Sequence, residues 1–130
     1  MVQFIGDTGP TSLPLKTQAP WPSRSTSYVG ALTGFLAARY GGEEFVILLP
    51  ESPPDESEEI AESVRQNVFD LGIEHESSSV GKVVTVGVGV AAMVPTKDSN
   101  PADLIKLADE ALYKAKANGR NCTSTACTPE

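Results

Sequence analysis

Hydrophobic and polar positions divide the chain into an irregular first part and a patterned second part. Residues 1–30 contain four prolines and eight serines or threonines, and no helical or strand period runs through them. Proline interrupts the hydrogen-bonding ladders of helices and sheets, and the sparse apolar content buries little surface. We therefore expect residues 1–31 to be irregular or disordered, with a folded domain over residues 32–122.

The patterned part predicts three strands. Two apolar runs, FLAARY and EFVILL, are separated by two glycines and predict a β-hairpin around residues 35–50. A third run, VVTVGVGVAAMV, predicts a strand over about residues 82–92, and its lack of polar alternation is typical of a central strand covered on both faces. Gly87 and Gly89 fall on one face of this strand, so a helix or a ligand is expected to pack closely there.

Two further segments carry apolar residues at helical spacing and predict helices near residues 55–70 and 101–117. The first follows two prolines, has an acidic first turn that suits the helix dipole, and can end at Gly72. The second begins with the cap and first-turn proline of Asn100-Pro101 and stops at Asn118-Gly119.

The predicted order is strand, strand, helix, strand, helix, which gives an α/β fold with an antiparallel sheet backed by helices. Three strands leave an open edge that needs cover. An element that belongs before Leu32 is therefore expected to be missing, as it would be in the product of a truncated or frame-shifted gene.

Charge and composition exclude several classes of function. The net charge of −7 repels phosphate backbones, so we expect no nucleic-acid partner. We expect no membrane segment in this chain, because no run approaches about eighteen apolar residues. The N-terminus lacks the pattern of a signal peptide, and a cytoplasmic location follows as the expectation. Cys122 and Cys127 have no histidine nearby to complete a zinc site, and we expect both to be free thiols. Residues 123–130 are expected to form a C-terminal tail.

The first candidate site is a glycine pair followed by two carboxylates, Gly41-Gly42-Glu43-Glu44. Glycines permit positive φ and let a ligand approach the backbone, and strand alternation sends the two glutamates to opposite faces. Carboxylates suit Mg²⁺, which usually takes one or two of them together with substrate phosphates. The alternative is a solvated hairpin, with glycines for the turn and glutamates facing water.

The second candidate site is a group of cations near the end of the second predicted helix. Lys114, Lys116 and Arg120 complement the helix dipole there, and that role can account for any one of them. Lys116 and Arg120 are four residues apart, so they can also share a face and bind a triphosphate together. Spacing leaves both interpretations open.

These motifs resemble the GGDEF family, the diguanylate cyclases. The turn RYGGEEF matches the family signature in its GGEEF form, VTVGVGVA is similar to the next core strand, and ADEALYKAKANGRN is similar to the closing helix. The resemblance covers residues 32–122 and implies the C-terminal half of a palm-like domain, related to the nucleotide cyclases and the ferredoxin-like folds.

The resemblance implies roles at both candidate sites. Gly41-Gly42 would lie against a bound GTP. Glu43 and Glu44 would be the catalytic carboxylates, with Glu43 a ligand of Mg²⁺ or Mn²⁺ and Glu44 assisting the metal or activating the 3′-hydroxyl. Lys116 and Arg120 would hold the terminal phosphates. A homodimer of such domains, each holding one GTP, would produce cyclic di-GMP.

The first 31 residues depart from the family pattern. The D-x-D strand that supplies the other metal carboxylate is not found there, Asp7 has no aspartate partner, and the Asn that helps to read guanine is also absent. Leu32 and Phe35 occupy the positions of the family's inhibitory R-x-x-D motif, so product inhibition is not expected.

His75 is expected to be structural or exposed rather than catalytic.

Three functions are compatible with this pattern. The first is an active diguanylate cyclase, whose turnover would fall steeply without one metal carboxylate, because electrostatic positioning dominates phosphoryl transfer. The second is a non-catalytic nucleotide-binding remnant, and the third is an inactive fragment or interaction module. We expect the inherited function to be that of a diguanylate cyclase, with weak or absent turnover in this chain alone.

Overall fold

The computed structural model describes residues 2–6, 36–41, 44–76 and 81–127. These residues form five strands and two helices in the order β1 Val2–Gly6, β2 Leu36–Gly41, β3 Glu44–Leu48, α1 Pro54–Asp70, β4 Gly87–Ala92, α2 Pro101–Ala117 and β5 Thr123–Cys127. The strands form one sheet with the order β2-β3-β1-β4-β5. All neighbouring pairs are antiparallel except β4 and β5, which run parallel and are connected through α2. The predicted α/β class is confirmed, and so are the hairpin and both helices.

The first strand corrects the expectation for the N-terminal region. Val2–Gly6 pairs with β3 on one side and with β4 on the other, so it fills the middle of the sheet. The expectation of irregular structure over residues 1–31 is therefore wrong for Val2–Gly6, and the sheet has the element that its pattern had left out. The prolines on which that expectation was based begin only at Pro10, after the strand has ended. Pairing with a neighbour on each side stabilises Val2–Gly6 as a strand, although its composition alone does not predict one. Residues 7–35 lie outside the described part.

The last strand corrects the expectation of a C-terminal tail. Thr123–Cys127 pairs with β4 along its whole length, so the tail predicted over residues 123–130 is wrong for these residues. The polar run TSTAC carries no apolar pattern, and its placement depends on the crossover through α2. Cys122 is a free thiol, as predicted, and its sulfur lies 3.2 Å from the Ala115 carbonyl oxygen.

The two helices cover opposite faces of the sheet. The face that α1 covers holds a cluster of buried aliphatic side chains, to which β4 contributes Val88 and Val90. On the other face, α2 packs Ala108 and Leu112 against Ala91. The interior position of β4 and its cover on both faces are thus as predicted. The strand itself begins at Gly87, although Val84 and Val86 before it are also buried.

Gly89 sets how closely α2 approaches the sheet. A Cβ at this position would overlap the backbone nitrogen of Leu112 and the carbonyl oxygen of Ala108, and would lie 2.8 Å from the Leu112 Cα. Only glycine fits a strand position that lies directly under the helix backbone. The close packing predicted for this face is therefore made by a helix.

The ends of both helices are well defined. Ser57 Oγ donates to the Pro53 carbonyl oxygen at 2.9 Å in the first turn of α1. The Asn100 side chain accepts a hydrogen bond from the Ala102 amide at 3.0 Å and caps α2, as its sequence predicts. No helix of the described residues is long and apolar enough to cross a membrane.

Candidate functional site

The C-terminal end of α2 lies beside the start of β3. Lys116, in the last turn of α2, places its Nζ 3.9 Å from Oε1 of Glu44, the first residue of β3. The two side chains are 26% and 34% exposed, so the pair is half-buried at the rim of the domain. At this separation the contact is an ion pair without a hydrogen bond, and both groups keep capacity for a further partner. The structure therefore brings together one residue from each of the two sequence motifs.

The turn after α2 fixes the backbone of Arg120. The Arg120 amide donates to the Ala115 carbonyl at 3.0 Å and the Gly119 amide to the Lys116 carbonyl at 3.5 Å, the two hydrogen bonds of a Schellman motif. Gly119 has a φ of 113° and Arg120 a φ of 69°. A left-handed conformation is uncommon for a residue with a side chain, and here it occurs where the chain turns sharply from α2 into β5.

The Arg120 side chain has an unpaired buried donor. Its Nε is buried and has no hydrogen-bond acceptor among the described residues. Buried N–H groups in proteins are nearly always paired, and a guanidinium binds phosphate or carboxylate through such donors. The backbone of Arg120 lies close to the sheet: a Cβ added to Gly87 would be 2.8 Å from the Arg120 carbonyl oxygen.

The rest of the glycine–carboxylate turn is only partly described. Gly41 ends β2 and its backbone pairs with Glu44 after an irregularity in the register that begins at Arg39. Gly42 and Glu43 lie outside the described residues, so their roles stay predictions. No cluster of three or more His, Cys, Asp or Glu side chains that could hold a metal occurs in the part of the chain that the structure describes. A metal bound beside Glu44 would therefore need Glu43 or the phosphates of a substrate as further ligands.

His75 belongs to the fold around α1 rather than to this turn. It is 8% exposed, and its backbone amide donates to the Lys82 carbonyl at 2.8 Å, which ties the segment after α1 to the approach to β4. The structural role predicted for it is consistent with this burial, and an exposed position is not. Its Nδ1 has no hydrogen-bond partner within the described ranges.

Sequence reasoning missed a polar network between α1 and the turn after α2. Arg65, on α1, donates from Nη1 to the Asn121 Oδ1 at 2.8 Å and from Nε to both carboxylate oxygens of Glu62, at 3.0 and 2.9 Å. The hydrogen bond from Arg65 holds the pKa of the Glu62 carboxyl below its ordinary value, and the same bond raises the pKa of Arg65. The i,i+3 spacing of Glu62 and Arg65 was the available signal, although it indicates only an exposed helix pair.

Comparison with known proteins identifies the family. The diguanylate cyclase GGDEF domain family matches residues 31–122. PleD, a response regulator of Caulobacter vibrioides, is 40% identical over 88 residues, which are 66% of this chain and 19% of that protein. YhcK of Bacillus subtilis is 45% identical over 85 residues, which are 65% of this chain and 23% of that protein. The chain thus spans about a fifth of the length of these curated relatives.

Solved structures give the same result for the fold. The active GGEEF domain of a diguanylate cyclase from Vibrio cholerae superposes with a TM-score of 0.56 and 31% identity, over 75% of this chain and 58% of that one. The GGDEF domain of DgcB from Caulobacter crescentus, solved in complex with c-di-GMP, superposes with a TM-score of 0.59 and 29% identity, over 70% of this chain and 51% of that one.

The fold and the site define a class of protein. It is an α/β domain in which a hairpin that carries carboxylates lies beside the basic end of a helix. This chain belongs to the GGDEF family, and it carries a partial, C-terminal portion of the domain. The palm-like fold expected from the resemblance is confirmed for that portion. Family membership implies a need for a divalent metal, without showing which one.

Proposed function

We propose that this chain binds GTP with a divalent metal, Mg²⁺ or Mn²⁺, at the end of the sheet where α2 meets β3. The approach of Lys116 to Glu44 carries the proposal, because it places a cation suited to phosphate beside the turn that bears the carboxylates. Arg120, which is half-buried just after α2, supports it, since a guanidinium binds phosphate through its forked donors and its Nε has no acceptor among the described residues. Glu43 would be the metal ligand and Glu44 its neighbour in the catalytic turn, with Gly41-Gly42 against the nucleotide.

The reaction inherited with this site is the condensation of two GTP molecules to cyclic di-GMP. In that reaction the 3′-hydroxyl of each GTP attacks the α-phosphate of the other, and pyrophosphate leaves. Two copies of the domain must face each other to bring the two nucleotides together, so turnover would need a homodimer. The proteins similar to this chain include a GGDEF domain solved with c-di-GMP, which supports the assignment of the product.

Turnover in this chain is proposed to be weak or absent. Charge stabilisation by positioned metals dominates phosphoryl transfer, and the D-x-D pair that supplies the other metal carboxylate does not occur in residues 1–31. The alternative is a nucleotide-binding or interaction module without catalysis. Asp7, which follows β1 in the sequence, is the one acidic residue before Glu43 that can be tested as a substitute.

Titration calorimetry with GTP and Mg²⁺ tests binding. We expect Lys116→Met to weaken GTP binding by about 10- to 100-fold, since a hydrogen bond to a charged group contributes about 1.5–3 kcal/mol. Lys106→Met is the matched control, because Lys106 is an exposed lysine of the same helix and its loss changes the net charge equally. Absence of GTP binding to the unmodified chain would overturn the proposal.

Incubation with GTP and Mg²⁺, followed by chromatography for cyclic di-GMP, tests turnover. We expect little or no product from the unmodified chain and none from Glu43→Gln. Robust synthesis that disappears in Asp7→Asn would show that Asp7 supplies the missing carboxylate, and would refute the proposed impairment. Synthesis that survives Glu43→Gln would remove Glu43 from the metal site.

A further inference from the structure

Arg65 is the centre of a polar network that connects α1 with the turn following α2. Its side chain is only 13% exposed, and all three guanidinium nitrogens donate hydrogen bonds. Nε and Nη2 bind Glu62, Nη2 also binds the Gln66 Oε1 at 2.9 Å, and Nη1 binds the Asn121 Oδ1 at 2.8 Å. A rigid, fork-shaped cation of this kind fixes direction as well as distance.

The partner at the far end, Asn121, lies directly after Arg120. Its backbone amide donates to the Gly119 carbonyl at 2.9 Å, and the next amide, of Cys122, donates to the Arg120 carbonyl at 2.7 Å. The first hydrogen bond to β4 is made at Cys122, whose carbonyl accepts from the Val88 amide at 3.0 Å, and the paired register begins at Thr123 opposite Val88. Arg120 is therefore held in its left-handed conformation by a short turn, and one side-chain anchor of that turn comes from α1.

We infer that Arg65 is a positioning residue for the phosphate-binding end of the site. By holding Asn121, it keeps the turn closed and the Arg120 guanidinium in place for a terminal phosphate. Glu62 orients Arg65 from one helical turn away, which leaves Nη1 pointing at the Asn121 side chain. The inference rests on the proposed function, because the ligand of Arg120 is the triphosphate of GTP.

The alternative for Arg65 is a purely structural tether between α1 and the rest of the fold. The two roles make different predictions for ligands that share the guanosine but differ in phosphate number. A tether that only stabilises the fold would change the affinities for GTP and GMP alike. A residue that positions Arg120 affects the terminal phosphates, which GMP lacks.

The experiment measures binding of GTP and of GMP, each with Mg²⁺, to the full chain and its variants by titration calorimetry. Arg65→Met keeps the aliphatic stem and removes the donors, and Asn121→Ala removes the acceptor from the other end if the first variant folds poorly. We expect each to weaken GTP binding about tenfold and GMP binding less than about twofold, as loss of one charge-assisted contact predicts. The double variant should lose no more than either single variant, because both break the same hydrogen bond. Lys106→Met again controls for net charge.

Hydrogen exchange supplies a second readout that needs no nucleotide. Loss of the anchor should speed exchange of the Asn121 and Cys122 amides while leaving the buried amides of β4 protected. Unchanged exchange in Arg65→Met, or equal losses of GTP and GMP affinity, would overturn the positioning role. Failure of the unmodified chain to bind GTP would instead overturn the proposed function, and the exchange result would still decide whether Arg65 fixes the turn.

Discussion

Substitution of Gly89 by alanine should push α2 away from the sheet. The added Cβ would lie 2.8 Å from the Leu112 Cα and would overlap backbone atoms of Leu112 and Ala108. Ordinary carbon–carbon contacts are about 3.5–4.0 Å, so the helix or the strand must move by about 0.7–1.2 Å. The three atoms nearest to this Cβ all belong to the backbone of α2, so no side-chain rotation can relieve the overlap.

The expected cost follows from the size of that movement. Forcing one extra carbon into a packed interface costs about 1–3 kcal/mol, and the upper end applies here because α2 must move as a unit. For a folded region of this size, each kcal/mol lowers Tm by roughly 4–8 °C. Thermal and urea unfolding followed by circular dichroism should therefore show a loss of about 2–3 kcal/mol in Gly89→Ala.

Gly81→Ala is the matched control. A Cβ at Gly81 meets nothing within 4 Å, so the same substitution adds a methyl group without an overlap. We expect Gly81→Ala to stay within about 0.5 kcal/mol of the unmodified chain. If Gly89→Ala is as stable as Gly81→Ala, α2 does not lie where the structure places it, and the approach of Lys116 to Glu44 loses its basis as well.

Three other perturbations test the core, the polar network and the carboxylate turn. Leu112→Ala should cost about 2–5 kcal/mol in urea unfolding, because Leu112 is 1% exposed between α2 and the sheet; a loss below about 1 kcal/mol would contradict its burial. Since the bond from Arg65 lowers the pKa of Glu62, the Glu62 carboxylate stabilises the fold above the ordinary value of 4.5, and this stabilisation is lost as the pH falls through the lowered pKa. The stability difference between the unmodified chain and Glu62→Gln should be under about 1 kcal/mol, because the Glu62 side chain is half exposed, and it should shrink in urea titrations toward about pH 3; a constant difference would refute the ion pair. Glu43→Gln should weaken Mn²⁺ binding in the presence of GTP at least about tenfold by calorimetry, whereas equal Mn²⁺ affinity would place the metal elsewhere.

The parts of the fold that the sequence predicts are those with a strong local signal. A pattern within a short stretch of sequence predicts each of these elements. The patterns are the helical spacing of α1 and α2, the glycine turn between β2 and β3, and the valine-rich run of β4. The strands β1 and β5 have no such signal, because Val2–Gly6 precedes a proline-rich region and Thr123–Cys127 is mostly polar. Their pairing partners lie far along the chain, so only the assembled sheet identifies them as strands.

The candidate site divides in the same way. The two motifs were visible in the sequence, but spacing alone left Lys116 and Arg120 equally consistent with a helix-dipole role. The structure adds the approach of Lys116 to Glu44 and the unpaired Nε of Arg120, both of which depend on tertiary contacts. The bond from Arg65 to Asn121 spans 56 residues, a separation at which no local pattern can indicate a partner.

Two glycines of β4 connect the fold to the site. Gly89 lets the middle of α2 lie against the strand, and Gly87 leaves room for the carbonyl of Arg120 just after the helix ends. Together the two glycines determine how closely α2 approaches the sheet and where the chain leaves the helix. They therefore also determine where the cations at the end of α2 lie relative to Glu44, the first residue of β3. A serine or alanine at Gly87 would press on the Arg120 backbone alone, whereas the same change at Gly89 would displace the whole helix. The position of the proposed phosphate-binding end is therefore determined by the two glycines of the strand, which have no side chain, as well as by the charged side chains that line it.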